Sequence, residues 1–181
     1  MDIIAKIEKA ASETGFLEFG YVEVGSLKYY PEVRAICEKN ACGGYGASWA
    51  CPPAIGTIAE CKKRVEQYNK MMIFTQVYQL EDSFDYEGMI AGVHSFKQLV
   101  ERFQQNLNNI TSDYLLLANE GCRRCSSCTY PDAPCRFPER LYPPLEGYGF
   151  IVSELSKEAG VRYNNGADTV TYFGAVLFNE E

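Results

Sequence analysis

One run of cysteines limits what this chain can fold around. Cys122, Cys125 and Cys128 follow one another with two residues between each pair, and Cys135 comes after six more. Two successive x2 spacings wrap the backbone around three corners of an iron–sulfur cubane, and a more distant cysteine supplies the fourth. Zinc sites more often use two separated C-x2-C pairs around one tetrahedral ion. The spacing therefore predicts a 4Fe–4S cluster, with zinc as the alternative and disulfides or free thiols as the third interpretation.

Basic residues accompany this run. A 4Fe–4S cluster with four thiolate ligands carries net negative charge, and cations beside its sulfurs raise its reduction potential. Four arginines lie within a few residues of the cysteines, namely Arg123, Arg124, Arg136 and Arg140. Their positions agree with a cluster at this site.

A second, looser group holds the other four of the eight cysteines. It consists of Cys37, Cys42, Cys51 and Cys61. Gly43, Gly44 and Gly46 allow close backbone approach and positive φ in this segment. Cys51-Pro is similar to the Cys-Pro that closes ferredoxin motifs, and Cys61 falls in the first turn of a predicted helix, where amide dipoles favour a thiolate. Cys61 also fits the apolar face of that helix as a core residue, so four plus four ligands is one of two interpretations.

Composition excludes several classes of protein. The chain has 17 Lys and Arg against 24 Asp and Glu, a net charge of −7, which is unfavourable for nucleic acid. No apolar run approaches the roughly 18 residues needed to cross a bilayer. The first residues lack the order of a signal peptide, so we expect a cytoplasmic protein whose cysteines bind metal rather than form disulfides. With 181 residues and 46% apolar content, a single domain over 1–181 is expected.

Hydrophobic periodicity predicts alternating helices and strands. The predicted helices are 1–14, 31–39, 57–69, 86–108 and 145–159. The predicted strands are 16–27, 71–80, 113–118 and 169–178, the last belonging to a hairpin over 161–178 that turns near 164–166. Gly15 and Gly160 are expected to end helices, and Thr57 with Glu60 forms a capping box. The fold class is therefore α/β (or α+β): a mixed sheet flanked by helices, with two irregular cysteine-rich loops mounted on it.

Other polar and aromatic residues lie near the cysteines. Glu139 and Glu146 follow Cys135 of the tight run as candidate proton carriers, although a carboxylate at a helix start is also explained by the helix dipole. Trp49 and Tyr130 lie in the two loops, where they either exclude water from a cluster or provide ordinary packing. Because two-cluster proteins keep their centres near enough for electron exchange, we expect the two loops to lie close together.

Several blocks of the sequence resemble one known family. They are Cys37-x4-Cys42-Gly-Gly-Tyr-Gly, Cys51-Pro-Pro, Gly121-Cys-x2-Cys-x2-Cys, Cys135-Arg-x-Pro-Glu139, Pro144-Leu-Glu146-x-Tyr-Gly149 and Thr169-Val-Thr-Tyr-Phe-Gly174. Their order and spacing resemble family 2284 of the domains of unknown function, small prokaryotic proteins labelled as predicted metal-binding. The resemblance extends from about residue 16 to 178. It implies metal binding through the matching cysteines and implies no defined reaction.

Three functions follow from this sequence. The first is electron transfer on one or two 4Fe–4S clusters to an unidentified redox protein partner. The second is an iron–sulfur enzyme with an open iron corner, which requires that one of the eight cysteines is not a ligand. The third is a zinc-stabilised binding module without redox activity. Neither nucleic acid nor membrane is an expected partner, a homodimer is left open, and no catalytic residue is identified.

Overall fold

In this computed structural model, which describes residues 2–180, the chain forms five α-helices around a four-stranded sheet. The helices are α1 (Ile3–Thr14), α2 (Pro31–Glu38), α3 (Ile58–Val65), α4 (Tyr86–Asn108) and α5 (Val152–Ala159). The strands are β1 (Glu18–Glu23), β2 (Lys70–Gln79), β3 (Leu115–Leu117) and β4 (Thr169–Phe178). The α/β fold class is confirmed, and all four predicted strand segments contribute to one sheet.

The sheet has the order β1-β2-β4-β3, and each of these neighbouring pairs is antiparallel. The expectation of a mixed sheet is corrected accordingly. Within residues 2–180, parallel pairing beyond the named strands is a single bridge between Ala118 and Pro144. The alternation of helices and strands suggested parallel crossovers, but the β1–β2 and β3–β4 connections each return to the end of the sheet they left. The helices in these connections cover a face of the sheet, and the strands on either side of them run in opposite directions.

Helices cover both faces of the sheet, and β2 shows the alternation that separates the two layers. Met72 and Phe74 are buried against α1 and α4. Met71 and Ile73 point the other way, into a core shared with α3 and α5. Because successive strand residues face opposite sides, one central strand contributes to two hydrophobic cores.

Helix α4 is the longest element of the fold. Its 23 residues bury one stripe at helical spacing, formed by Val93, Phe96, Val100, Phe103 and Leu107. Asp85 caps its start by accepting a hydrogen bond from the backbone N–H of Gly88 at 2.8 Å. None of the helices in the described part of the chain combines the length and apolar character needed to cross a membrane.

Local capping signals located three helix ends as expected. Gly15 and Gly160 end α1 and α5 with φ of +97° and +72°. Thr57 Oγ1 accepts from the Glu60 N–H at 3.2 Å, while Glu60 Oε2 accepts from the Thr57 N–H at 2.7 Å, which is the predicted capping box. Helix α3 ends at Val65, four residues before the predicted end at Asn69.

Two predicted elements differ from the structure. The predicted helix over 145–159 is split, because Gly149 adopts a φ of +83° between a short 3-10 turn (Leu145–Tyr148) and α5. The predicted first strand of the hairpin, near 161–164, does not form. The Val161 N–H donates to the Ser156 carbonyl at 2.9 Å, and the Arg162 N–H donates to the Glu18 carboxylate at 2.8 Å. These donors are therefore not available to a sheet ladder.

The loop that contains the tight run of cysteines is closed where it leaves and rejoins the sheet. Ala118, just beyond β3, donates its N–H to the Pro143 carbonyl at 2.9 Å. Its own carbonyl accepts from the Leu145 N–H at 3.1 Å. These two bonds join the ends of the segment 119–142, which contains all four cysteines of the tight run.

Gly20 provides a test of how α5 packs on the sheet. A Cβ at Gly20 would overlap the backbone carbonyl oxygen of Ala159, so Gly20→Ala requires α5 to move away from β1. We expect this substitution to lower the free energy of unfolding by about 1–3 kcal/mol, as overpacking does. Gly25→Ala is the control, because a Cβ there meets no atom within 4 Å. Urea denaturation measures both, and equal effects of the two substitutions would contradict the packing described.

Candidate metal centre

The four cysteines of the tight run lie around one small cavity. Cys122, Cys125, Cys128 and Cys135 line it together with Arg124, Arg136 and Arg140. All four are partly exposed and none forms a disulfide. The structure therefore brings together the complete set of thiols that the x2-x2-x6 spacing predicts, in surroundings whose charged side chains are positive.

Cys128 has the surroundings of a thiolate. Burial raises the pKa of its thiol, but hydrogen bonds from the backbone N–H groups of Tyr130, Trp49 and Thr129, with the charge of Arg136, outweigh burial and lower that pKa. Hydrogen bonds to the charged form of a group stabilise that form. One of the three donors, Trp49, belongs to the other cysteine loop, so the pKa of Cys128 depends on contact between the loops.

Side chains of α4 support the start of this loop. Lys97 donates a hydrogen bond to the carbonyl of Gly121, directly before Cys122, and burial lowers the pKa of its ammonium group. Glu101 pairs with Arg124. Arg124 also lies over the ring of Phe137, with 5.7 Å between the guanidinium carbon and the ring centroid. Helix α4 therefore holds the backbone of the cysteine run from one side.

Three cysteines of the looser group come together. Cys37 lies in the last turn of α2, Cys42 is exposed and Cys51 is buried. A Cβ built on Gly44 would lie 3.0 Å from the sulfur of Cys51 and 3.6 Å from that of Cys42. Burial, together with the charges of Cys42 and Cys37, raises the pKa of Cys51 to about 11. Gly44 thus permits the close approach expected of this glycine-rich segment.

Cys61 lies apart from these three. Its side chain is fully buried in the core that contains Val65 and Leu145. Its sulfur is 3.6 Å from Nη2 of Arg34 and of Arg64, and it donates to the Ile55 carbonyl at the same distance. Burial raises the pKa of the Cys61 thiol, partly offset by the two guanidinium groups. Of the four residues predicted as one ligand set, the structure groups Cys37, Cys42 and Cys51 and surrounds Cys61 with core residues and arginines.

The two cysteine groups are neighbours, which confirms the expected proximity of the loops. Trp49 Nε1 donates to the Ala133 carbonyl at 3.0 Å, and its ring meets Tyr130 edge to face with 4.9 Å between centroids. A Cβ at Gly121 would lie 2.9 Å from the sulfur of Cys51. Seven cysteines therefore lie in two adjoining groups.

The donor set suits a thiophilic metal group. Thiolates with backbone N–H donors and cations around them are typical of iron–sulfur ligation, in which each thiolate binds a different iron. Across residues 2–180, no three His, Cys, Asp or Glu side chains converge closely enough to hold one metal ion as they stand.

Several residues at the site carry no sequence signal. Lys97 and Glu101 lie on a helix far from the cysteines in the chain, and Arg34 precedes Cys37 by one helical turn without any motif. Only their position in the fold shows their contacts. Glu139 and Glu146 were candidate proton carriers. Glu139 lies in an exposed 3-10 turn, whereas Glu146 is an exposed residue that lines a large cavity.

Comparison with known proteins identifies the family. No curated protein matches the chain. Among solved structures the chain is similar to epoxyqueuosine reductase from Streptococcus thermophilus, with 11% sequence identity and a TM-score of 0.49. That match covers 98% of this chain and 46% of the other, so the chain spans about half the length of that enzyme. A family model described as predicted metal-binding protein matches residues 20–178. Because the model spans most of the chain, this protein belongs to the predicted metal-binding family DUF2284.

Proposed function

We propose that this protein is an iron–sulfur protein that performs one-electron redox chemistry, with a 4Fe–4S cluster held by Cys122, Cys125, Cys128 and Cys135. One observation carries the proposal: these four thiols line a single cavity whose charged side chains are all arginines. A cluster bound there would accept and release single electrons. The x2-x2 spacing favours this group over zinc, which is more often held by two separated pairs.

The surrounding residues support a tuned centre. The three backbone N–H groups that donate to the Cys128 sulfur, and the nearby Arg136, stabilise negative charge on that sulfur. Such stabilisation raises the reduction potential of a bound cluster. Trp49 and Tyr130 pack together beside the cavity and restrict water there. The chain itself therefore contributes charge compensation and partial exclusion of solvent.

The position of this centre supports electron exchange with a protein partner. The loop that follows Cys128 is largely exposed from Pro131 to Pro134, and Phe137 is exposed as well. Little protein separates the cysteines from solvent on this side, which is favourable for a redox partner that docks there. The adjoining group of Cys37, Cys42 and Cys51 offers a second candidate centre beside the first, because the Cys51 sulfur lies next to Gly121 at the start of the tight run.

Cys125→Ala tests the cluster proposed at the tight run. The middle cysteine of the run has little freedom to place another ligand at its corner, so we expect loss of the four irons of this cluster. Loop 121–140 has little core of its own, and metal-binding free energy is also its folding free energy, so it should lose its structure too. Iron and sulfide analysis after anaerobic purification, with absorbance near ~400 nm bleached by dithionite, measures the outcome.

Ser126→Ala is the matched control, because Ser126 is an exposed neighbour without a thiol. It should keep full iron content. Unchanged iron in Cys125→Ala, or a colourless wild-type protein that contains zinc, would overturn the iron–sulfur proposal and favour the zinc-stabilised binding module.

A second candidate function is an iron–sulfur enzyme with an open iron corner. The observation that favours it is the burial of Cys61 among core residues and arginines, which leaves Cys37, Cys42 and Cys51 as a set of three. A cubane with three thiolate ligands keeps one iron available to another ligand. In this case the group of Cys37, Cys42 and Cys51 is the reactive centre, and the cluster of the tight run supplies electrons to it.

Cys61→Ala separates three ligands from four. We expect the variant to retain the iron bound by Cys37, Cys42 and Cys51, and to lose about 1 kcal/mol of stability, as a typical core substitution does. Cys51→Ala is the comparison and should lose that iron. Iron content and thermal unfolding of both variants decide the matter. Loss of iron in Cys61→Ala, or its conversion to a three-iron form, would restore the four-plus-four arrangement and contradict the open corner.

A further inference from the structure

One large cavity of the described structure contains none of the cysteines of either group. It has a volume of about 500 Å³ and is formed by the start of β4, the segment 163–168 before it, and the residues that follow β3. Cavities of this size accept small organic molecules. Asn119 and Glu120 line it directly before Gly121 and Cys122, so any ligand bound there lies beside the metal centre.

Asn119 is a buried polar side chain without a partner. It is only 8% exposed, and neither Oδ1 nor Nδ2 has a hydrogen-bond partner within residues 2–180. Buried amides are normally paired, because an unpaired donor or acceptor loses its hydration without compensation. Asn119 forms part of the cavity wall, so a bound molecule with an adjacent donor and acceptor, or a bridging water, would satisfy it.

The charge of the cavity has one sign. Glu120, Glu146 and Asp168 line it, and the lining contains neither Lys nor Arg. Glu120 pairs with Arg123 outside the cavity at 3.5 Å, but both side chains are about 40% exposed, so this pair is weak. Glu146 and Asp168 form no ion pair among the described residues.

Backbone strain marks two of the acidic residues. Glu120 and Asp168 have φ of +50° and +53°, in the left-handed region that residues other than glycine seldom occupy. Strained residues of this kind persist where the surrounding structure holds them, and they concentrate at binding sites. Here both of them turn the chain at the wall of the same cavity.

Aromatic rings complete the walls. Tyr163 stacks on Phe173 with 5.5 Å between centroids. Tyr172 also lines the cavity, and its hydroxyl donates to the Met89 carbonyl at 2.7 Å. Aromatic faces beside carboxylates attract cations, since the ring quadrupole and the negative charge act in the same direction.

We propose that this cavity binds a small organic cation, such as a protonated amine, amidine or cationic heterocycle, whose N–H groups reach Glu146, Asp168 and the amide of Asn119. The ligand would lie against the aromatic walls, next to Cys122. This site does not depend on the identity of the metal, because none of its lining residues is a proposed ligand. It gives the protein a bound small molecule that simple electron transfer does not require.

Three probes of equal size and different charge test the site. Benzamidinium is cationic, benzamide neutral and benzoate anionic, and each is titrated by calorimetry into the protein as purified, with its metal. We expect benzamidinium to bind saturably and at least about tenfold more tightly than benzoate, a difference of about 1.4 kcal/mol. No saturable binding of benzamidinium, or equal binding of all three probes, would overturn the proposal.

Two variants locate the binding. Glu146→Gln and Asp168→Asn each remove one charge, and Asn adopts a positive φ readily, so Asp168→Asn keeps the fold of its turn. Each should weaken benzamidinium binding about tenfold and leave iron content unchanged. The control is Glu13→Gln, an exposed residue of α1 with the same change in net charge. Equal weakening in the control would show general attraction to an acidic protein and would refute a defined site.

Discussion

The pair of hydrogen bonds at Ala118 is the constraint on which the rest of the site depends. They join the strand that precedes the loop of the tight run to the segment that follows that loop. A loop of this length without regular structure loses much conformational entropy when it is ordered, and fixing its ends lowers the part due to closure. The same bridge sets Asn119 and Glu120 at the wall of the large cavity and leads the returning chain into the core through Leu145.

Local features of this fold were predictable because their causes are local. A glycine with positive φ ends α1, and a reciprocal pair of hydrogen bonds starts α3, so sequence alone located both. The break at Gly149 was missed, because Leu145 to Ala159 keeps a helical pattern. In the structure the Gly149 carbonyl accepts from the Tyr30 N–H at 2.8 Å, a tertiary contact that the pattern does not contain. The antiparallel pairing was missed for a related reason: the direction of a strand depends on where its connection returns, which periodicity does not encode.

The candidate site divides in the same way. The tight run needed no tertiary information, since its spacing alone brings Cys122, Cys125 and Cys128 around one object. Cys61 did need it, because a thiol on the apolar face of a helix has the same pattern whether it binds metal or packs. In the structure, Arg34 approaches from α2 and its Nη2 lies 3.6 Å from the Cys61 sulfur.

Opposite charges meet across the end of β3. Asn119 also contributes to a smaller cavity of about 210 Å³ on its other side, lined by Lys97, Arg123 and Arg140 together with Cys122. The cationic side of this strand end faces the thiols, and the acidic side faces the large cavity. Cations on the thiol side stabilise added negative charge at a metal centre, while carboxylates on the cavity side stabilise a positively charged ligand. An electron that moved from the centre to such a ligand would remove the negative charge that the cations stabilise and the positive charge that the carboxylates stabilise. The two fields therefore oppose transfer in that direction and favour a reduced centre beside a ligand that keeps its positive charge.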